Sequence, residues 1–276
     1  MIKLGEVNNL MVNRGSAMGF FLIDTSGEEV FLPFKYAPDN LQLKDVIDVF
    51  IYNDSEDKII ATTQKPKITL NTFAALKVVD AASFGAFMDW GLDKDLLVPF
   101  KEQAGKMYDH KTYVVYLFLD ETSDRLVATT KLNRYLDNTD NDLKANQEVD
   151  LLIFEDFDLG YFAIINNKYK GLIYKNEIYS PIKVGDSLKG YIKQIKEGNL
   201  IDLSLQKIGF ENVDNNSQFI LDYLKKHNGV LALHDNSSPE DIKRVLGMSK
   251  KTFKKAIGIL YRQKLVKIEA TQTVLV

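Results

Sequence analysis

Gly19-Phe20-Phe21-Leu22-Ile23-Asp24 returns 66 residues later as Gly85-Ala86-Phe87-Met88-Asp89-Trp90. Phe31-Leu32-Pro33-Phe34 returns at the same offset as Leu97-Val98-Pro99-Phe100. Ile59-Ile60-Ala61-Thr62-Thr63-Gln64-Lys65 returns at an offset of 67 as Leu126-Val127-Ala128-Thr129-Thr130-Lys131. Three anchors sharing an offset mark an internal repeat, which decides architecture before any local pattern does. A weaker third copy starts 75 residues beyond the second, with Gly160-Tyr161-Phe162-Ala163-Ile164-Ile165. It continues through Gly171-Leu172-Ile173-Tyr174 and Leu200-Ile201-Asp202-Leu203-Ser204-Leu205.

Each copy reads as short strands separated by turns. Val46 to Tyr52 and Tyr113 to Leu119 are rich in β-branched and aromatic residues, with no internal Gly or Pro. Gly19, Gly85 and Gly160 interrupt apolar runs, where a glycine is expected to mark a bulge or sharp bend that lets a small sheet curl closed. Five strands in so short a unit suit an OB-type barrel better than a sandwich, whose sheets need about 100 residues. The expected fold is therefore mostly β with a C-terminal α+β domain. The expected domains are five-stranded OB-type barrels over 1–68, 69–145 and 146–210, then a winged helix-turn-helix over 217–276.

That last domain rests on its own signals. Phe219-Ile220-Leu221-Asp222-Tyr223-Leu224 has helical spacing after Ser217, a good N-cap residue. Ser237-Ser238-Pro239-Glu240-Asp241-Ile242 opens a second helix, which Gly247 should stop. Ser249 caps a third, with Phe253, Ala256, Ile257 and Leu260 on one face and Lys250, Lys251, Lys254, Lys255 and Arg262 between them. Two short strands, Leu265 to Glu269 and Thr273 to Val276, complete the pattern. Lysines hold phosphates, whereas base readout favours Arg, Asn or Gln, so this helix is expected to grip a nucleic-acid backbone.

Charge agrees with that division. The last sixty residues carry eleven bases against five acids, a net +6, which leaves −9 on the preceding 216. A basic domain on an acidic body suggests a polyanion partner for the basic part. The three repeats carry seven bases to ten acids, nine to twelve, and eight to nine, so the third is nearest neutral.

Ser83-Phe84-Gly85-Ala86-Phe87, Leu96-Leu97-Val98 and Asp124 to Thr130 resemble an S1 domain, the RNA-binding OB barrel. The third repeat resembles it through Leu159 to Phe162, Gly171 to Glu177, Val184 to Leu188 and Asn199 to Lys207. The first matches less sharply, with Met18 before its glycine and Phe21 after it. Three such barrels and a winged helix in a cysteine-free chain resemble the conserved virulence factor B family of bacteria. The resemblance implies RNA binding with a post-transcriptional effect on expression.

Unpaired bases stack on aromatic faces while cations track the phosphates. Carried over by position, the RNA-binding candidates are Phe84 and Phe87 in the second repeat, and Phe162 and Tyr174 in the third. Phe87 and Phe162 also fit a barrel core, as strand aromatics generally do. Where S1 domains commonly hold a His, this sequence has Pro33, Pro99 and Tyr174. Lys168, Lys170, Lys175 and Lys207 lie beside the third repeat's aromatics, which ranks that repeat first as an RNA contact. Trp90, the only tryptophan, reads as a partly buried anchor.

Enzyme chemistry finds little support. Zero Cys excludes thiolate zinc sites, disulfides and a Cys nucleophile. His110, His227 and His234 form no close ligand pair, and neither a Walker loop nor a Gly-x-Ser-x-Gly elbow is present. No cofactor or metal is expected. No apolar run reaches the roughly 18 residues of a membrane span, and the start has no signal-peptide core, so the cytoplasm is the expected compartment. The expected partner is single-stranded RNA, with DNA an option for the winged helix. The alternative is a DNA-binding winged-helix regulator whose barrels sense a ligand or mediate assembly.

Overall fold

Alternation along the first strand of each repeat sets up its barrel. In β1 (Val7–Gly15), Leu10 and Val12 point inward while Asn9, Met11 and Asn13 face out, the period-2 pattern of a half-buried strand. The first repeat continues with β2 (Gly19–Ile23), β3 (Glu29–Pro33), β4 (Val46–Asn53) and β5 (Ile59–Thr62). The second holds β6 (Phe73–Ala82), β7 (Gly85–Asp89), β8 (Leu96–Pro99), β9 (Thr112–Asp120) and β10 (Arg125–Thr129). The third holds β11 (Glu148–Phe157), β12 (Gly160–Ile165), β13 (Tyr169–Tyr174), β14 (Ser187–Lys196) and β15 (Leu200–Ser204). This computed structural model describes residues 1–178, 181–206 and 215–276, in two compact units, Met1–Leu205 and Gln206–Val276.

Strand order repeats too: β1-β2-β3-β5-β4 and β11-β12-β13-β15-β14 are closed barrels. The second repeat has the same order of neighbours, with β8 and β10 lying side by side but sharing no ladder hydrogen bonds, so its barrel carries a seam there. In the third barrel Gly171 pairs with Ile201, and a Cβ on Gly171 would come within 2.6 Å of Leu203 Cδ1. The first and second repeats hold the buried side chains of Val30 and Leu96 at that position.

The bulge that curls each sheet is not at the glycine. It lies on the facing strand, between Val12 and Arg14, Val78 and Asp80, and Ile153 and Glu155. The glycine serves close approach instead: a Cβ on Gly160 would sit 2.1 Å from the Ile173 carbonyl oxygen, and one on Gly19 2.2 Å from that of Leu32.

The repeats in the first unit are packed against one another. Trp90 is 2% exposed and sets its ring edge-on to Phe50 and Tyr52 of the first barrel, within one hydrophobic cluster that spans both repeats. Val114, Tyr116 and Leu132 of the second repeat meet Ile164 of the third, with Tyr135 stacked on Tyr116 at 3.9 Å. The polar stretch after it is pinned: Asn138 donates to the Lys170 and Asn199 carbonyls and accepts from the Lys170 N–H.

The second unit contains α1 (Asn215–Lys226), β16 (Val230–Leu231), α2 (Pro239–Leu246), α3 (Lys250–Arg262), β17 (Val266–Ile268) and β18 (Thr273–Leu275). Ser238 and Ser249 accept from the Asp241 and Thr252 N–H groups as N-caps, and Gly247 ends α2 at φ 69°. Ser217 is not a cap. It lies inside α1, fully buried, and donates to the Ala256 carbonyl. A third strand, β16, pairs with β18 beyond the expected hairpin. Ile220, Leu224, Ile242, Phe253, Ile257 and Leu260 form the core of this unit.

Candidate nucleic-acid interface

One rung organises the outer face of every repeat. Phe21, Phe87 and Phe162 lie two residues after the strand glycine, between inward-facing neighbours, and so stand outside the core. Opposite them across the ladder stand Arg14, Asp80 and Glu155. On the third strand the rings face Phe31, Leu97 and Leu172, with Glu29, Asp95 and Lys170 two residues earlier. Each ring therefore has one charged residue opposite it and a second on the diagonal: Arg and Glu, two Asp, and Glu and Lys.

Those charges decide whether a ring is open. In the first barrel Arg14 lies 3.6 Å above Phe21 and pairs with Glu29 at 2.8 Å. In the third, Lys170 Nζ lies 3.8 Å above Phe162, while Phe157 stacks on the same ring at 4.5 Å and 10°. Phe162 is thus flanked by Lys170 and Phe157, leaving little room for a base. Burial lowers the Lys170 pKa from its ordinary value, and Glu155 opposes that shift. In the second repeat no cation among the described residues sits over Phe84 or Phe87. Their rings meet edge-to-face at 5.7 Å, and Phe84 is 61% exposed.

Phe100, 67% exposed, belongs to the same corner, since its N–H donates to the Phe84 carbonyl at 2.9 Å. Its return at the Phe34 offset is the signal that could have marked it. On ring exposure the second repeat leads, the reverse of the order expected from charge.

The third barrel's cations are spread around its wall. Lys175 sits at the Tyr174 end, bridged to Asp156 at 2.9 Å, and that hydrogen bond raises its pKa. Tyr174 is half-buried; Lys196 lies 5.4 Å over its ring and donates to its hydroxyl at 3.1 Å. Sequence reasoning missed Lys196, because only barrel closure brings β14 to β13's end. Lys168 is exposed at the opposite turn, over Tyr169, away from Phe162 and Tyr174. Lys207 lies outside the described residues.

On α3, Lys251, Lys254, Lys255 and Arg262 are exposed and Lys250 is half-buried. Lys254 pairs with Asp235 at 3.1 Å, and Arg262 donates to the Gly258 carbonyl at 3.2 Å. Gly258 faces open space, with nothing within 4 Å of where its Cβ would stand.

Residues 4–64 match the S1 domain model and residues 218–275 match the CvfB-like winged helix domain. Conserved virulence factor B of Staphylococcus epidermidis is 29% identical over 277 residues, covering 96% of this chain and 92% of that protein. Its Staphylococcus aureus counterpart is 28% identical over 280 residues, with the same coverage. The chain is thus similar over nearly its whole length to proteins of the conserved virulence factor B family. A solved multidomain protein with nucleic acid binding domains from Streptococcus pneumoniae is similar over 99% of this chain and 98% of that one, at 25% identity and a TM-score of 0.47. The S1 and winged-helix families matched are nucleic-acid-binding types, not catalytic families. Among the described residues no His, Cys, Asp or Glu cluster is placed to hold a metal. No described helix is long and apolar enough to cross a membrane.

Proposed function

We propose that this protein binds single-stranded RNA without catalysis, in the cytoplasm, and influences gene expression after transcription. The observation that carries the reading is the exposed aromatic corner of the second repeat, Phe84 and Phe100 beside Phe87. Flat rings open to solvent suit unpaired bases, since stacking is worth about 1–3 kcal/mol per base whatever the sequence. Tyr174, Lys170, Lys175 and Lys196 on the third barrel then follow the backbone, with Phe162 holding Lys170 in place rather than stacking a base. The lysines of α3 contribute further phosphate contacts.

The test is filter binding of single-stranded RNA and of duplex DNA across a salt series. Tighter binding of RNA, persisting as salt rises, is the expected result. A preference for duplex DNA would favour a transcription regulator in its place.

A further inference from the structure

The unpaired seam of the second repeat opens into a cleft of about 470 Å³, within the size range of small-ligand sites. Phe87, Leu96 and Leu97 line one side, Arg125 and Val127 the other, and the β4–β5 turn of the first barrel closes an end. The basic groups there are engaged: Arg125 reaches Asp57 at 2.5 Å, and Lys94 donates to the Asp54 carbonyl at 2.7 Å. The Trp90 indole N–H is also used, on the Lys94 carbonyl.

Two acceptors are left over. The Asp95 carboxylate receives no hydrogen bond or ion pair from any described residue, although it lines the cleft and is half-buried. Asn53, at the end of the cleft formed by the β4–β5 turn, has a buried Oδ1 that accepts no hydrogen bond either. Unmet acceptors in a partly dry site disfavour the empty state and reward a ligand that brings donors. Burial and the neighbouring Asp89 push the Asp95 carboxyl above its ordinary value, the sign of a charge lacking a partner.

A flat ring, an unpartnered carboxylate and engaged cations describe a ligand that is planar, donates hydrogen bonds and is not itself a phosphate. We infer that this cleft takes one guanine base of a bound single strand, with Phe87 against its ring and Asp95 accepting from its N1–H and exocyclic amine. The inference rests on the RNA-binding reading and makes Asp95 its specificity-determining residue. The same position holds Glu29 in the first barrel, paired with Arg14, and Lys170 in the third, so neither of those repeats offers the free carboxylate.

The test is fluorescence anisotropy of the full chain with three oligonucleotides of equal length: all-uridine, uridine with one central guanosine, and uridine with one central inosine, which lacks the exocyclic amine. The guanosine strand should bind about tenfold tighter than the other two, as a good bidentate base contact allows. Asp95→Asn should abolish the preference, bringing the guanosine and all-uridine strands to one common value, and a cooperative thermal melt shows that the variant folds. Phe87→Leu serves as a second variant and should weaken the guanosine strand most. Equal binding of the three strands by the unaltered protein overturns the inference alone, as does a guanosine preference that survives Asp95→Asn. Binding of none of them overturns the RNA reading itself, and the inference with it.

Discussion

Phe87 and Phe162 occupy the same rung of two sheets built from one repeat and both are half-buried, yet only Phe162 has a cation over its ring. The third barrel places Lys170 over the ring and Phe157 beneath it. The second places Asp80 and Asp95 at the flanking positions and leaves the seam beside them unpaired. A repeat can therefore keep its fold while trading the chemistry of its outer wall, because outward residues of a strand are not constrained by the core. On the RNA-binding reading proposed above, attraction for phosphate and access for a base fall on neighbouring barrels.

The largest expected effect tests whether the two sheets are equally tight. Gly160→Ala should cost about 3 kcal/mol, since its Cβ meets a carbonyl at 2.1 Å that the ladder holds still. Gly85→Ala should cost about half as much, because its carbonyl neighbour lies at 2.7 Å and the Leu97 side chain can turn aside. Urea midpoints compare them, and equal losses would mean that the seam gives no slack.

The next separates stacking from charge. Phe84→Ala with Tyr174→Ala should weaken single-stranded RNA about tenfold or more, by the usual worth of a base stack. Phe84→Ala alone should account for most of that loss in a titration at fixed salt. An unchanged affinity would remove the open corner from the interface.

Lys254→Glu with Lys255→Glu should flatten the dependence of log affinity on log salt by roughly 1, the signature of lost phosphate contacts. Lys170→Met should flatten it less, because that charge is already spent on Phe162 and on Asn133 at 3.0 Å. A salt series on each variant ranks the two surfaces.

The smaller effects are on stability. Gly258→Ala should stabilise the winged helix by about 0.5–1 kcal/mol, since the new methyl meets nothing and helix propensity improves. Asp95→Asn should stabilise the first unit more modestly at neutral pH. A carboxyl whose pKa is raised on folding opposes folding while ionised, and that penalty disappears below the unfolded value of about 3.9. The advantage of the variant should therefore shrink as pH falls from 7 to 3 in parallel thermal melts.

Much of the architecture was legible from residues alone. The offsets of 66 and 75 that align the glycines also align the bulges, which register confirms at all three copies. Ser238, Gly247 and Ser249 mark their helix ends because caps depend on local backbone geometry. Ser217 misled for a related reason: a serine can cap a helix or bond across it, and the neighbouring α3 carbonyl decides which. The strand glycines signalled a tight place, but whether that place was a bulge or a close carbonyl depended on the facing strand.

The candidate site was legible in kind and not in state. Sequence alone determined the repeats, the winged-helix pattern and the rings at the S1-like positions, since those follow from periodicity and short-range spacing. Tertiary structure alone decided which rings are covered, which lysines are engaged and where the seam opens. Arg14 reaches Phe21, and Lys196 reaches Tyr174, only once strands distant in the chain are laid side by side. Cation placement and solvent access are properties of those pairings, so no count of charges along the chain could rank the barrels.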